Sequence, residues 1–267
     1  MPQTKLKEKA NEIKSKVVSM TAKGKGGHVG TSLSEVDILT ALFFHTMNFS
    51  DYKSPERDRF VLSKGHGSEG LYCTLAAKGV FPESELDNYL QHDSYLTIHP
   101  TRHVPGVEIN TGALGHGFPV AVGMALGAKK QNKKWRTFVV TGDGELEEGT
   151  NWEAAMSASF YKLGNLTIIV DNNKLQLADF VSKTMEIEPL DKKFEAFGFD
   201  VHKVPGNDPD SLASCLDSLD YSGEKPHCIL AQTTKGSGVS FMENIAEWHH
   251  RVPTAEEAEK ATKELLK

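Results

Sequence analysis

Two segments of this chain carry oxygen donors at a telling spacing. GDGELEEG (142–149) sets Asp143 between two glycines, and DNN (171–173) ends on Asn173, thirty residues further on. Each follows an apolar run, TFVV (137–140) and LTIIV (166–170), that reads as a buried parallel strand. A strand–helix–strand unit has about this length, so if the two strands are neighbours both loops open on one pocket beyond their carboxyl ends. Asp143 offers a carboxylate and Asn173 an amide oxygen, donors of the kind Mg2+ or Ca2+ takes, and Mg2+ commonly adds substrate phosphates. Gly142 and Gly144 would let backbone N–H groups approach a diphosphate, and the N-terminus of the following helix favours negative charge. The bland alternative is a pair of polar turns capping two strands, because Asp-Gly turns are common.

A second chemistry lies in the histidines. Of eleven, many fall in loops beside glycine or proline: GGHVG (26–30), SKGHGS (63–68), IHPTRHVPG (98–106) and EWHHR (247–251). A lone loop histidine is more often a solvent-exposed bystander. Four such loops in a chain with a candidate diphosphate site change that weighing, since neutral imidazole can donate, accept or shuttle a hydroxyl proton.

The elements that must position these groups can be read from periodicity. Leu6, Ala10, Ile13, Val17 and Met20 give an amphipathic helix over about 5–23, ended by Gly24, Gly26 and Gly27. Ser34 fits an N-cap for the apolar helix EVDILTALFFHTM. RFVLS (59–63) reads as a strand, and Ser68 or Glu69 opens the next helix. The stretch 82–105 reads as loop with a short helix near 84–90. Helices are expected over 117–130, 151–164, near 189–197 and over 208–219, with strands at 200–204 and 228–234. Strands alternating with helices predict an α/β fold: one mostly parallel sheet with helices on both faces, a single domain over 1–267. The segment 255–267 reads as a charged helical tail on the surface or against a partner.

Composition narrows the classes. With 39% apolar and 25% charged residues the chain is an ordinary globular protein. Its charge of 30 − 36 = −6 argues against nucleic acid. No apolar run is long enough for a membrane span, and the N-terminus lacks a signal-peptide core, so no membrane association is expected. Cys73, Cys215 and Cys228 are too scattered for a disulfide framework or a metal pattern, which points to a reducing cytoplasm.

The residues GDGxxxEG and GNLxxIxDxN (142–149 and 164–173) together resemble the thiamine-diphosphate fingerprint of the transketolase family. GGHVG is similar to the family's GHPG, SKGHG to its S-x-GH-A/G loop, HPTRHVPGVEINTGALGHG to HPE…PGVE-x-TTGPLGQG, and GVSFMENIAEWHHRVP to the GVSFMEN…WHGKAP of split bacterial chains. The likeness runs in order from about 9 to 255. It implies the thiamine-diphosphate-binding fold, with a divalent ion (Mg2+, or Ca2+ or Mn2+) held by Asp143, Asn173 and the carbonyl of Leu175. It further implies that His28 and His249 face the scissile bond as bases, that His66 contacts diphosphate or substrate, and that His99 contacts the donor's terminal hydroxyl. Gly112 and Leu114 would meet the aminopyrimidine, while Glu148 and Glu153 match interface acids. Glu145 and Glu147 are left as plain surface charge. Departures from the family pattern are Val29, Thr31, Thr101, Ala113, His116 and His250, several of them on the substrate side, and His250 leaves open which of 249/250 points inward.

The glutamate that activates the cofactor's pyrimidine lies, in the family, on a second domain that this sequence does not match. The resemblance therefore implies the N-terminal subunit of a two-subunit transketolase. It would act on ketose and aldose substrates together with a separate C-terminal, pyrimidine-binding chain, as α2β2. Two alternatives remain at this point: another thiamine enzyme (1-deoxyxylulose-phosphate synthase-like or dehydrogenase E1-alpha-like), and a non-catalytic regulatory subunit of the same fold.

Overall fold

The computed structural model describes residues 4–176 and 179–267. Its centre is a parallel sheet of β1 (Arg59–Leu62), β2 (Thr137–Gly142), β3 (Leu166–Asn172), β6 (Asp200–Pro205) and β7 (His227–Gln232) in the order β1-β2-β3-β7-β6. A short antiparallel ribbon, β4 (Leu175–Gln176) with β5 (Asp179–Phe180), follows β3. The expected α/β class therefore holds, and β2 and β3 are neighbours as the loop argument required. Gly142 is in register with Asp171, so the two acidic loops leave the sheet side by side.

Strand side chains alternate between two cores, as the pleat demands. Phe60, Leu62, Phe138, Val140, Ile169 and Ile229 face one layer. That layer contains α1 (Thr4–Gly24), α2 (Val29–Ala41), α3 (Ser68–Ala77), α8 (Pro209–Ser218) and α9 (Ala255–Leu265). Val61, Val139, Ile168, Val170, Cys228 and Leu230 face the other, made of α4 (Gly117–Lys130), α5 (Gly149–Phe160) and α7 (Leu190–Ala196). A one-turn helix α6 (Val181–Thr184) joins β5 to the segment before α7. The chain leaves β3 toward α7 on one face and β7 toward Val239, Met242 and Trp248 on the other. Loops that diverge in this way open a crevice at the carboxyl ends of the strands.

One expectation changes. The second helix begins at Val29, not after Ser34; Ser34 is fully buried within it, and its hydroxyl donates to Asp171 Oδ2 at 2.5 Å. A serine with the look of a cap is instead a donor to a buried acid. That helix ends in a wider π turn, Leu42–Thr46. The terminal helix α9 packs on its own chain's α1 through Ala258, Ala261 and Leu265, and Thr254 caps it with a reciprocal Glu257 bond. No described helix is long and apolar enough to cross a membrane.

Candidate active site

Asp143 follows β2 directly and is buried. Its Oδ1 accepts from the Gly144 N–H at 2.8 Å and its Oδ2 from the Lys174 N–H at 2.5 Å. Burial, and then the nearby Asp171, push its carboxyl up to about 7. Asn173 is also buried; its amide oxygen accepts from the Leu175 N–H at 3.0 Å, and its amide nitrogen donates to Asp171 Oδ2 at 3.3 Å. A cavity of about 180 Å3 opens beside Asp143 and Lys174, walled on its other side by Phe180, Val181 and Ile187. The Gly142 and Gly144 N–H groups are satisfied within the loop, by Glu145 Oε2 at 3.1 Å and by Asp143 respectively.

Glu145 is not surface charge. It is 2% exposed and accepts from Ser63 Oγ, the Gly115 N–H at 2.9 Å and the Gly142 N–H, so it ties three chain segments together. Burial raises its carboxyl above the usual range. Glu147 is half-buried and accepts from Gln176 Nε2 at 2.6 Å. Neither acid has the surface role expected of it, because their partners lie on other loops, which spacing within one turn does not reveal. Glu148, the residue before α5, and Glu153, in its second turn, are exposed.

The histidines converge. The His28 ring centre lies 5.5 Å from His66, 5.9 Å from His99, 5.3 Å from His249 and 4.8 Å from His250. His28 sits at the start of α2, its backbone N–H donating to Glu69 Oε1 at 3.0 Å. Glu69, fully buried, also accepts from Ser32 Oγ at 2.7 Å and Tyr89 Oη at 2.6 Å. Gly27 reaches this corner at φ +124°, where a Cβ would stand 2.1 Å from that carboxylate. His66 comes from the turn after β1. His99 packs on Gly112 (φ +129°), where a Cβ would meet the imidazole at 2.7 Å. Leu114 is half-buried in the same loop. Trp248, 1% exposed, anchors the last pair with its Nε1 donating to the Phe241 carbonyl at 2.9 Å. Of that pair, His249 is buried inward and His250 stands exposed at the rim.

Sequence reasoning passes over the charged residues beneath. Lys64, the residue before Gly65-His66, is buried between Asp171 and Glu35, its Nζ 3.1 Å from the Glu35 carboxylate. Lys235, just past β7, is buried and hydrogen-bonds both the Leu175 carbonyl at 3.4 Å and His249 Nδ1 at 2.7 Å. It thus joins the oxygen-donor loops to the histidine cluster. Burial lowers it to about 8. A lysine directly after an apolar strand, as in LSK and QTTK, is the available signal for both. Burial, with the neighbouring His250, His99 and lysines, pushes His28 down to about 4; burial and Lys235 push His249 to about 3. His66 is held well below its ordinary value by burial and by the nearby Lys64, and His99 is lowered by burial. Burial thus favours the uncharged form of all four rings.

Uncharged imidazoles and buried oxygen donors meet at the carboxyl edge of a parallel sheet, where α/β domains bind their ligands. The family model of the transketolase thiamine diphosphate binding domain matches residues 6–266. A chain of Actinobacillus succinogenes, named as one of the subunits of an apulose-4-phosphate transketolase, is 53% identical over 264 residues, covering 97% of this chain and 95% of that one. A Clostridium chain named as a 6-deoxy-6-sulfo-D-fructose transketolase subunit is 38% identical over 268 residues, 99% and 98% of the two lengths. The crystal structure of Campylobacter jejuni transketolase superposes with a TM-score of 0.92 at 32% identity, over 99% of this chain and 43% of that one. The chain belongs to the transketolase family, as the thiamine-diphosphate-binding part that such relatives carry as a separate polypeptide. Relatives that are themselves named as subunits imply a second, partner chain.

Proposed function

We propose that this chain, with a separate C-terminal chain carrying the pyrimidine-binding domain, transfers a two-carbon ketol unit from a ketose phosphate to an aldose. We further propose an α2β2 assembly working in the cytoplasm. Asp143, Asn173 and the Leu175 carbonyl are the residues that would hold a divalent ion, Mg2+ or else Ca2+ or Mn2+, against the diphosphate. The fit rests on Asp143, a buried carboxylate with no direct cationic partner among the described residues, which a cation would complete. When bound, thiamine diphosphate supplies the electron sink that carbon–carbon cleavage requires.

The chain's own part is orientation and proton transfer. Cleaving the ketose C2–C3 bond requires a base for the C3 hydroxyl proton. His28 is uncharged, and its Nδ1 has no hydrogen-bond partner, so it can accept that proton. His249 Nδ1 accepts from the Lys235 ammonium, which leaves its ring proton on Nε2 and makes that nitrogen a donor to a substrate oxygen rather than the base that the family resemblance implies. His66 and His99 complete the polar wall, and Gly112 and Leu114 line the approach for the aminopyrimidine.

The convergence of four uncharged histidines beside a buried oxygen-donor loop is the observation that carries this reading. It is supported too by an apolar face on α4 and α5, where Val120, Met156 and Phe160 are 40%, 58% and 77% exposed. The named function of the 53%-identical relative makes apulose 4-phosphate the first donor to test. Purified chain, mixed with the product of a neighbouring reading frame that encodes the missing domains, should release the carbonyl compound left after loss of the two-carbon unit from the ketose only with cofactor and metal present. Cofactor binding without transfer from any ketose would sink the enzymatic reading. Asp143→Ala should abolish metal-dependent cofactor binding by calorimetry; unchanged binding would remove the metal assignment alone.

A further inference from the structure

His250 adds a feature to the mouth of this site. Ring nitrogens of His28, His249 and His250 all lie within 4.8 Å of one another. Two of the three rings are buried and one is exposed. His28 is 5% exposed, and its Nδ1 has no hydrogen-bond partner. Tetrahedral Zn2+ with N ligands at about 2.0–2.1 Å needs nitrogens roughly 3.3 Å apart. The remaining gap is small, and the exposed His250 ring already packs 4.8 Å from the His28 ring and 4.5 Å from the His249 ring, so a change of its rotamer closes it.

We propose that His28, His249 and His250 form a three-histidine site for a late first-row divalent ion, Zn2+ above all, at the mouth of the active-site cleft. The donor set suits such an ion: three imidazoles, with no carboxylate among them, favour Zn2+, Ni2+ and Cu2+ over Mg2+ or Ca2+. Three protein ligands leave the fourth position open, which water or a sugar hydroxyl can fill. His249 has Nδ1 on Lys235, so it ligates through Nε2; the ring proton passes to Nδ1, Lys235 gives one of its own to solvent, and one ion displaces one proton. Lys235 then plays the outer partner that fixes the ligating ring. The site is distinct from the oxygen-donor loop of Asp143 and Asn173. Because it takes up His28 and His249, an ion bound there inhibits rather than assists.

The test uses the full-length, untagged chain and reads binding, so it does not depend on any transfer activity. Zn2+ titrated by calorimetry should bind at one ion per chain with micromolar or tighter affinity, and Co2+ should give the visible absorption of tetrahedral nitrogen coordination. His250→Gly, an exposed change that leaves the core intact, should weaken Zn2+ binding by at least roughly tenfold, as should His28→Asn. Asp143→Ala should leave the Zn2+ stoichiometry unchanged. Absence of a one-to-one site in the wild-type chain, or equal affinity in His250→Gly, would overturn the assignment; the latter would trace the ion to scattered surface histidines.

Discussion

The two helical layers on this sheet are made of different material. The layer of α1, α2 and α3 buries charge: Lys14 pairs with Asp37 at 2.6 Å with both side chains inaccessible, and Glu35 and Glu69 are fully enclosed. The buried positions of α4, α5 and α7 carry no charged side chain; half of them are alanine, all in α4 and α5: Ala121, Ala125, Ala128, Ala154, Ala155 and Ala158. Their outer side shows Val120, Met156 and Phe160 instead. Buried charge is costly unless paired, and it is found here beneath the histidines, where it fixes their loops. The alanine layer positions nothing of that kind, and its apolar residue lies outside, where a second chain can cover it. One layer carries the buried charge beneath the histidines, and the other presents an apolar outer face suited to assembly.

The contrast is broken most severely at Lys64. This ammonium lies between Asp171 and Glu35, and Asp171 accepts as well from Ser34, Asn173 and Thr233. Lys64→Met leaves a buried carboxylate without its cation and should lower unfolding free energy by about 3–5 kcal/mol, read by denaturant titration. A loss under about 1 kcal/mol would mean that the hydroxyl and amide donors suffice and that the charged layer is less dependent on pairing than its geometry indicates.

Next in size is an effect on rate. His28→Ala removes the uncharged ring proposed as base and should cut turnover roughly 10²- to 10⁴-fold, with thiamine diphosphate affinity changed only a few-fold. Steady-state kinetics and calorimetry on the same preparation separate the two. An equal loss of both would move His28 from proton transfer to a structural role.

A third prediction concerns pH. Burial raises Glu35 from an ordinary 4.5 to about 8. Between those values the folded chain holds a proton that the unfolded chain has released, so stability falls as pH rises through that window. Glu35→Gln lacks this proton, and its stability relative to the parent should therefore rise from about pH 5 to 8 by about 1 kcal/mol or more, then level off. Unfolding curves at four pH values measure the gap. A gap that stays flat would mean an ionised Glu35 sharing Lys64 with Asp171.

How far the sequence reveals this follows from which forces act locally. The strands are legible because RFVL, TFVV and LTIIV are continuous apolar runs, and Asp143 and Asn173 because they end two of them. The histidine loops are legible through glycines that only a tight approach explains, as at Gly27 and Gly112. Ser34 and Glu145 are not, because each serves partners more than 25 residues away, 137 for Ser34 to Asp171 and 30 for Glu145 to Gly115. Glu35 and Asp37 leave a trace that periodicity could catch: two acids within VGTSLSEVDILTA, a helix whose every residue is buried. Acids in such a helix need partners, and in this chain the partners are Lys64 and Lys14.

The smallest expected effect on the isolated chain comes from the alanine layer. Met156 is 58% exposed on α5, so Met156→Glu removes no core contact and should leave unfolding free energy within about 0.5 kcal/mol. If this face meets another chain, the same change places a carboxylate in an apolar contact and should weaken the assembly, seen as a shift toward smaller species in size-exclusion chromatography with light scattering. Phe160, 77% exposed one turn along, provides an independent second position, and Phe160→Glu should act in the same direction. If neither change alters the mass of the mixed species while both leave folding intact, the partner sits elsewhere, and the difference between the two layers concerns the site alone.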